Sequence, residues 1–436
     1  MYCYKNDIEV IESVDVIVAG AGPAGICAAV AAARQGASVL LVERYGAVGG
    51  NLTLGNVSPI LGRTSQGTMY YEVIEMLSAQ HKDELKVETR NGKEIHIDAE
   101  EAKGILTNFL YKNNVKLMLQ TTICDVIKED DVLKGLIVTT PCGLKAVKAK
   151  RIIDTTGDGT VAFLSGCEYQ IGRESDGRTQ PVTLEFTINN VDESRAIMCF
   201  GGSDPVTLPN GKKYSEFCKE CEQNGILPKN VSIVRLHRTF YSGERNVNAT
   251  QMNDINGLDA TDLYKAEVEL RNQIDRVVDF LRKYVPGYEN CMLKTTADTL
   301  GVRETRRIMG EYVMCDDDVE QGNQYDDAVV HNAWFLIDIH NPSGGGQAEG
   351  HSKIAKPYDI RYGALVPKNV ENLLTAGRCI SGTHRAHASY RVMAICMATG
   401  EAAGVAAALS IKDDVTPRNL QPCKIRNVLM NNGIDL

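Results

Sequence analysis

A chain of 436 residues is too long for one ordinary hydrophobic core, so two domains are expected. Its 43% hydrophobic and 24% charged residues suit a globular protein, and its net charge of −9 gives no support for nucleic-acid binding. The apolar stretch 14–33 carries Asp15, Gly20, Gly22, Pro23 and Gly25, residues that neither a membrane helix nor a secretion signal would hold, so a cytoplasmic protein is expected.

The first predicted element is a strand over 14–19 that ends in a glycine-rich turn. A helix follows over 26–35, stopped by Gly36, and then a second buried strand over 38–42. This β-α-β unit encloses the run G-A-G-P-A-G, with Gly20, Gly22, Pro23, Ala24 and Gly25 between strand and helix. Gly20 permits a tight turn, Gly22 lets a pyrophosphate approach the backbone, and Gly25 lets the helix pack closely on the sheet. The helix N-terminus favours the anion. Glu43, 18 residues after Gly25, closes the second strand and can accept hydrogen bonds from a ribose. The arrangement predicts a dinucleotide site.

Residues 98–113 read as a helix started near Asp98, with Ile105, Phe109 and Leu110 at helical spacing. The short β-branched runs over 115–149 read as a β-meander, and 151–155 as a strand closed by Thr156-Gly157-Asp158-Gly159. Residues 170–350 are more polar, with one amphipathic helix over 262–284 ended by Pro286-Gly287. The α/β pattern returns with a strand over 372–377 and a long alanine-rich helix over 391–409. The expected fold is α/β: a discontinuous Rossmann-like nucleotide-binding domain, 1–169 and 351–436, with an α+β substrate or cap domain inserted at 170–350. Thirteen scattered cysteines include Cys27, Cys379 and Cys396 in apolar surroundings, as in a reducing compartment. The pair Cys218 and Cys221 lacks a partner pair and sits in what reads as an exposed helix; no metal site and no iron–sulfur spacing are expected.

Later motifs separate FAD from NAD. E-R-Y-G-A-V-G-G-N supplies Glu43, Arg44, Gly49, Gly50 and Asn51, and resembles the segment after the second strand in FAD enzymes of the glutathione-reductase and fumarate-reductase type. The meander, with Ile123 expected against the cofactor, stands where NAD domains usually cross with a helix. I-I-D-T-T-G-D-G resembles the second FAD fingerprint and supplies Thr156, Gly157 and Asp158. N-L-L-T-A-G-R resembles the third, in which Gly377 borders the flavin; such enzymes carry an acid where this chain has Arg378. The helix after Arg391 would aim the amides of Val392, Met393 and Ala394 at the flavin pyrimidine, where its dipole favours the reduced anion.

The whole chain is similar to FAD-dependent oxidoreductases related to fumarate reductase and succinate dehydrogenase flavoproteins. The resemblance rests on G-G-N-L-T-L-G-N-V-S-P, G-R-E-S-D-G-R-T-Q-P, G-V-R-E-T-R-R-I, P-Y-D-I-R-Y-G-A-L-V-P and A-G-R-C-I-S-G-T-H-R-A-H-A-S-Y-R-V-M. It implies FAD, a fold of the glutathione-reductase type, and hydride exchange between flavin N5 and a small organic substrate at a C–C or C–O bond beside a carboxylate or carbonyl. The spacing of His387 and Arg391 resembles the H-x-x-x-R that holds a substrate carboxylate in fumarate reductases; arginine offers the matching two-pronged donor. In the expected insertion, Arg303 heads a helix-like run with Arg306 and Arg307, and His340 ends the predicted strand W-F-L-I-D-I-H. The loop 343–346 lacks a following phosphate-binding helix, so no NAD(P)H domain is expected. Expected partners are a small-molecule substrate and an electron donor or acceptor, with a homo-oligomer admissible, and no nucleic acid or membrane. The alternative reading is an FAD-binding electron-transfer subunit with no small substrate of its own.

Overall fold

The computed structural model describes residues 7–79, 86–89, 92–202, 204–344, 346 and 355–436. Its centre is a seven-stranded sheet in the order Lys116–Met118, Val39–Val42, Val10–Ala19, Gly143–Asp154, Val132–Thr140, Thr122–Glu129, with Leu373–Thr375 also paired to Gly143–Asp154. The Val39–Val42 strand is buried along its whole length, and residues 16–19 of its neighbour are too. Continuous burial of this kind belongs to a parallel sheet covered on both faces.

Gly143–Asp154 has two roles. Its first half closes the antiparallel meander, with Gly135 opposite Lys148. Its end lies parallel between Val10–Ala19 and Leu373–Thr375, with Ile152 beside Ile17 and Leu373. The strand expected at 151–155 is therefore the tail of the meander's last strand. The first run of the expected meander, Lys116–Met118, instead joins the parallel sheet beside Val39–Val42.

Pro23–Arg34 and Met393–Lys412 pack face to face on the sheet. A Cβ on Gly400 would lie 2.1 Å from the Ala24 carbonyl oxygen, and one on Gly404 would lie 2.2 Å from that of Ala28. The alanine and glycine content of both helices thus lets their backbones touch. Met393–Lys412 is long and apolar enough to cross a membrane, but it is buried in the core, which accounts for its composition. It starts later than the expected 391–409. A separate short helix, His384–Tyr390, precedes it, and Arg391 sits in the turn between them.

A second core surrounds a four-stranded antiparallel sheet, ordered Arg235–Arg238, Arg245–Asn248, Phe186–Asn189, Met292–Thr296. The 25-residue helix Ala260–Tyr284 covers it, capped by the Asp259 carboxylate on the amides of Thr261 and Asp262. Buried residues of this core run from Val182 to Ala297, whereas Met314, Val319 and Val329–Ile339 pack into the main core. This core is narrower than 170–350, and the expected junction near 350 lies outside the described residues. Cys218 and Cys221 are buried in it, not exposed, on the inner face of the helix Tyr214–Gln223.

Candidate functional site

At the C-terminal ends of the parallel strands lies a cavity of about 530 Å³. Ligands of open α/β sheets gather at this edge. The helix Pro23–Arg34 opens onto it with no side-chain cap at Gly22, so its first amides point into the cavity. Gly20 has φ +98°, and a Cβ there would press on Thr155 and Thr156. A Cβ on Gly25 would stand 1.8 Å from the Gly20 carbonyl oxygen, whereas one on Gly22 would meet no protein atom within 4 Å. The three glycines therefore do three different things: turn, open the wall, and pack.

The Glu43 carboxylate is buried and accepts from the amides of Ala21 (2.6 Å) and Tyr45 (2.9 Å), tying the glycine loop to the strand end. The Thr155 hydroxyl donates to the carbonyls of Ala19 and Gly20 (2.8 and 2.7 Å), fixing the same loop from the other side. Gly50, Asn51, Ile123, Thr156, Gly157 and Asp158 complete the wall. Gly377 (φ +81°), Arg378, Arg391, Met393 and Cys396 close its far end. A model of the FAD dependent oxidoreductase family matches residues 15–429.

The chain belongs to that family. It is an FAD-dependent enzyme. Among curated relatives, the thiamine thiazole synthase of Desulfosudis oleivorans is 32% identical over 158 residues, 34% of this chain and 57% of that protein. The thiamine thiazole synthase of Thermococcus kodakarensis is 28% identical over 164 residues, 36% of this chain and 62% of that protein. The chain thus matches about three-fifths of these relatives' length. Among solved structures, a geranylgeranyl bacteriochlorophyll reductase-like protein of Thermoplasma acidophilum shares the fold at TM-score 0.50 and 14% identity, over 96% of this chain and 84% of that one. The p-nitrophenol 4-monooxygenase of Pseudomonas putida does so at TM-score 0.50 and 12% identity, over 97% and 87%.

The chain's own residues suit FAD. An uncapped helix N-terminus beside the open Gly22 fits a pyrophosphate, and the buried Glu43 carboxylate stands where a ribose would follow. Arg378, in the place of the usual acid, donates to Asp158 (2.6 Å) and to the Val302 carbonyl (2.7 Å). Gly25, Gly49, Val392 and Ala394 do not line the cavity. Gly49 instead donates to the Ala21 carbonyl (2.7 Å), and the Ala394 amide reaches the Leu61 carbonyl at 3.4 Å. Arg44 is mostly exposed at the mouth, 3.8 Å from Asp158.

Beyond Arg391 lies a buried polar cluster. Arg391 donates to the Asp338 carbonyl (3.0 Å), the Asp338 carboxylate (3.3 Å) and the Gln180 side-chain oxygen (3.4 Å), and its Nε is buried without a partner. His340 lies 3.3 Å from the same Asp338 carboxylate. Burial works to raise the Asp338 carboxyl, but His340 and Arg391 beside it overcome that and hold it an anion. Burial, then Arg303 nearby, drives the His340 imidazole down to about 3. Arg303 donates to the Pro181 carbonyl (2.8 Å) and is pushed down to about 9 by burial and by Arg391, still a cation at neutral pH.

His387 is fully buried and off the cavity wall, with Nδ1 unpartnered; burial, then Arg307 and Arg391, hold it well below the ordinary imidazole value. Both histidines are therefore neutral near pH 7.

Two local expectations fail. The run G-V-R-E-T-R-R-I is not a helix: Arg306–Ile308 is a strand paired with Tyr169–Ile171. Arg307 is scaffolding there, fully buried against Glu304, while Arg306 stacks 3.9 Å over the Phe163 ring. Glu304 also accepts from His384 (2.9 Å), so the acid and arginine of this motif pair with each other. The W-F-L-I-D-I-H segment is an irregular extended run after the strand Ala328–Ala333, with His340 fixed by its amide on Gln180 (3.1 Å). Sequence reasoning missed Asp338 and Gln180. Asp338 stood two residues before a chosen histidine, while Gln180 carries no motif.

Proposed function

We propose that this FAD enzyme transfers a hydride between the flavin and a small organic substrate at a C–C or C–O bond beside a carboxylate or carbonyl, with Arg391 binding the carboxylate. The observation that carries this reading is the place of Arg391. It is a partly buried guanidinium that lines the cavity beside Gly377 and Met393, held by Asp338 with its Nε left over. A guanidinium in this state suits a two-pronged carboxylate contact.

In the same reading Gly20, Gly22, Pro23, Ala24, Glu43, Arg44, Gly50, Asn51, Ile123, Thr156, Gly157, Asp158, Gly377, Arg378 and Met393 form the FAD site, with Gly25, Gly49, Val392 and Ala394 shaping the backbone behind it. Bound FAD supplies the hydride chemistry. The chain orients the substrate through Arg391 and Arg303, holds Asp338 as counter-ion, and keeps His340 and His387 as neutral hydrogen-bonding groups. The H-x-x-x-R spacing supports kinship with fumarate reductases, and the run E-R-Y-G-A-V-G-G supports the glutathione-reductase type of fold; the relatives named above are of other kinds. Within 170–350, the part built on the second core, from Val182 to Ala297, acts as the substrate cap, and the free thiols of the twelve described cysteines suit the cytoplasm. An anaerobic screen of carboxylic acids, watching flavin bleaching and reoxidation, tests the function. The expected result is a carboxylate that changes the flavin in wild type and not in Arg391→Ala; a flavin that answers only uncharged substrates would defeat it.

A further inference from the structure

Arg391 is not the only side chain of the polar cluster with a donor left over. Gln180 is 1% exposed and touches the same guanidinium. Two donors converge on its Oε1: the His340 amide at 3.1 Å and Arg391 Nη2 at 3.4 Å. An amide nitrogen in that place would face two donors, so the oxygen stands there and Nε2 points elsewhere. Nε2 is buried and makes no hydrogen bond, and the same holds for Arg391 Nε. Buried donors almost always find an acceptor, and leaving one without costs free energy. Two such donors on side chains in contact mark a place suited to oxygen atoms. The backbone there is not free to turn Nε2 toward a protein acceptor. The Gln180 amide donates to the buried Glu304 carboxylate (3.2 Å), and the Pro181 carbonyl accepts from Arg303 (2.8 Å). The amides of Val182 and Thr183 donate to the carbonyls of Met252 (3.0 Å) and Gly301 (3.3 Å). Residues 180–183 are pinned at every position, so Gln180 is held in place before any ligand arrives.

We propose that Gln180 is a substrate-binding and specificity-determining residue: Arg391 holds the carboxylate, and Gln180 Nε2 donates to a carbonyl oxygen on the neighbouring carbon, so the site selects 2-oxo acids. The proposal rests on the carboxylate reading above. Arg391 lines the FAD cavity and Gln180 stands against it, so an acid small enough to span the two meets both. Their tasks differ. A guanidinium attracts a carboxylate by charge and matches its two oxygens. A neutral amide attracts little at a distance, but it discriminates at contact. Nε2 can only donate, so it welcomes an oxygen and is left unpaired beside a methylene. The Asp338 carboxylate, 3.3 Å from Arg391, also bears on the choice, because it disfavours a second negative charge in the cluster. The second oxygen is therefore that of a carbonyl, not of another carboxylate.

The test titrates the FAD-loaded protein by calorimetry at pH 8 with pyruvate and with propionate, which differ by the one carbonyl oxygen. Wild type should bind pyruvate about tenfold more tightly, the worth of one buried hydrogen bond. Gln180→Met removes the donor and keeps a similar shape. Gln180→Glu keeps an oxygen for His340 and Arg391 but, ionised at pH 8, has no proton to give. Each variant should bring the two affinities within about twofold of one another. A displaced Arg391 or an added charge would weaken both acids alike and leave their ratio unchanged, so the ratio separates a donor to substrate from a merely structural residue. A ratio that stays near ten in either variant that folds and binds FAD overturns the proposal, as does a wild type that binds both acids equally. If wild type binds neither acid, or Arg391→Ala binds both as tightly as wild type, the carboxylate reading itself fails and the proposal falls with it.

Discussion

The two walls of the cavity are made of different material. The nucleotide wall is mainly backbone: glycines at fixed φ, an uncapped helix end, and one buried carboxylate that grips amides. The wall toward the second core carries a long charged side chain, Arg391, backed by a buried polar cluster in which it pairs with Asp338 and Arg303 is held on the Pro181 carbonyl. Backbone geometry tolerates almost no substitution but reads the same in any dinucleotide enzyme. Side chains tolerate replacement and carry what is particular to one substrate. The first wall should therefore fail completely when altered, the second by degrees.

The largest effect is expected at Gly22 and Gly25, and the two should fail differently. A side chain on Gly22 meets no protein atom, so Gly22→Val should fold with an unchanged apoprotein melting temperature yet emerge colourless. On Gly25 even a Cβ collides with the Gly20 carbonyl, so Gly25→Ala should lose FAD and also about 3 kcal/mol of apoprotein stability. The flavin-to-protein absorbance ratio and a thermal melt of each variant check both. Yellow Gly22→Val protein would remove the assignment of this loop to the pyrophosphate.

On the other wall, Arg391→Ala should keep its FAD and weaken carboxylate binding or turnover on the order of 10²-fold, the worth of a charge-assisted contact of roughly 2–4 kcal/mol. Arg391→Lys should recover only part of this, because it keeps the charge and loses the fork. Unchanged kinetics with full FAD in Arg391→Ala would leave this wall without its anchor. The pH profile should show no step from His340 or His387 between about 6 and 7, since both stay neutral there.

How much of this was legible follows the same division. The β-α-β unit, Glu43 and the T-G-D turn are short-range patterns, and the structure puts nearly all of them on one cavity. Arg303, His340 and Arg391 also fall near one another, but the neighbours that set their charge come from distant chain segments. Gln180 and Arg391 are separated by more than two hundred residues, and Gln180 is unremarkable where it stands in sequence. Local pattern also misread Arg303–Arg307: i,i+4 spacing suggested a helix, but pairing with Tyr169–Ile171 imposed a strand. Tertiary pairing outweighs local propensity in such short runs.

A smaller effect, on stability, is expected from Glu401 in the helix behind the nucleotide wall. It is buried, accepts from the Met69 amide at 2.7 Å, and is raised by burial to about 7. An acid whose folded pKa lies above its unfolded value of 4.5 binds more protons when folded between those two values. Stability should therefore fall as pH rises from about 4.5 to about 7 and level off above, by roughly 1–3 kcal/mol in all. Glu401→Gln should flatten that part of the curve, which denaturant unfolding at several pH values would show. A variant with the same slope as wild type would mean that another group carries it.

The smallest effect is expected at Arg378, where the two kinds of wall meet. It stands on the backbone-built strand end at Gly377, yet it is a charged side chain in a place where resembling enzymes carry an acid. Its guanidinium is 18% exposed and Asp158 13%, so their contact is partly screened by water. If Arg378 serves to neutralise Asp158, then Arg378→Ala harms FAD binding by leaving that carboxylate unpaired beside the cofactor, about tenfold. Removing the charge as well should undo most of the harm, so Arg378→Ala with Asp158→Asn should bind FAD nearly as well as Asp158→Asn alone. The double-mutant cycle should then report a coupling of about 1 kcal/mol, read from FAD dissociation constants by fluorescence. Losses that simply add would place Arg378 in direct contact with the cofactor, and would mean that this chain rebuilt part of its nucleotide wall from a side chain.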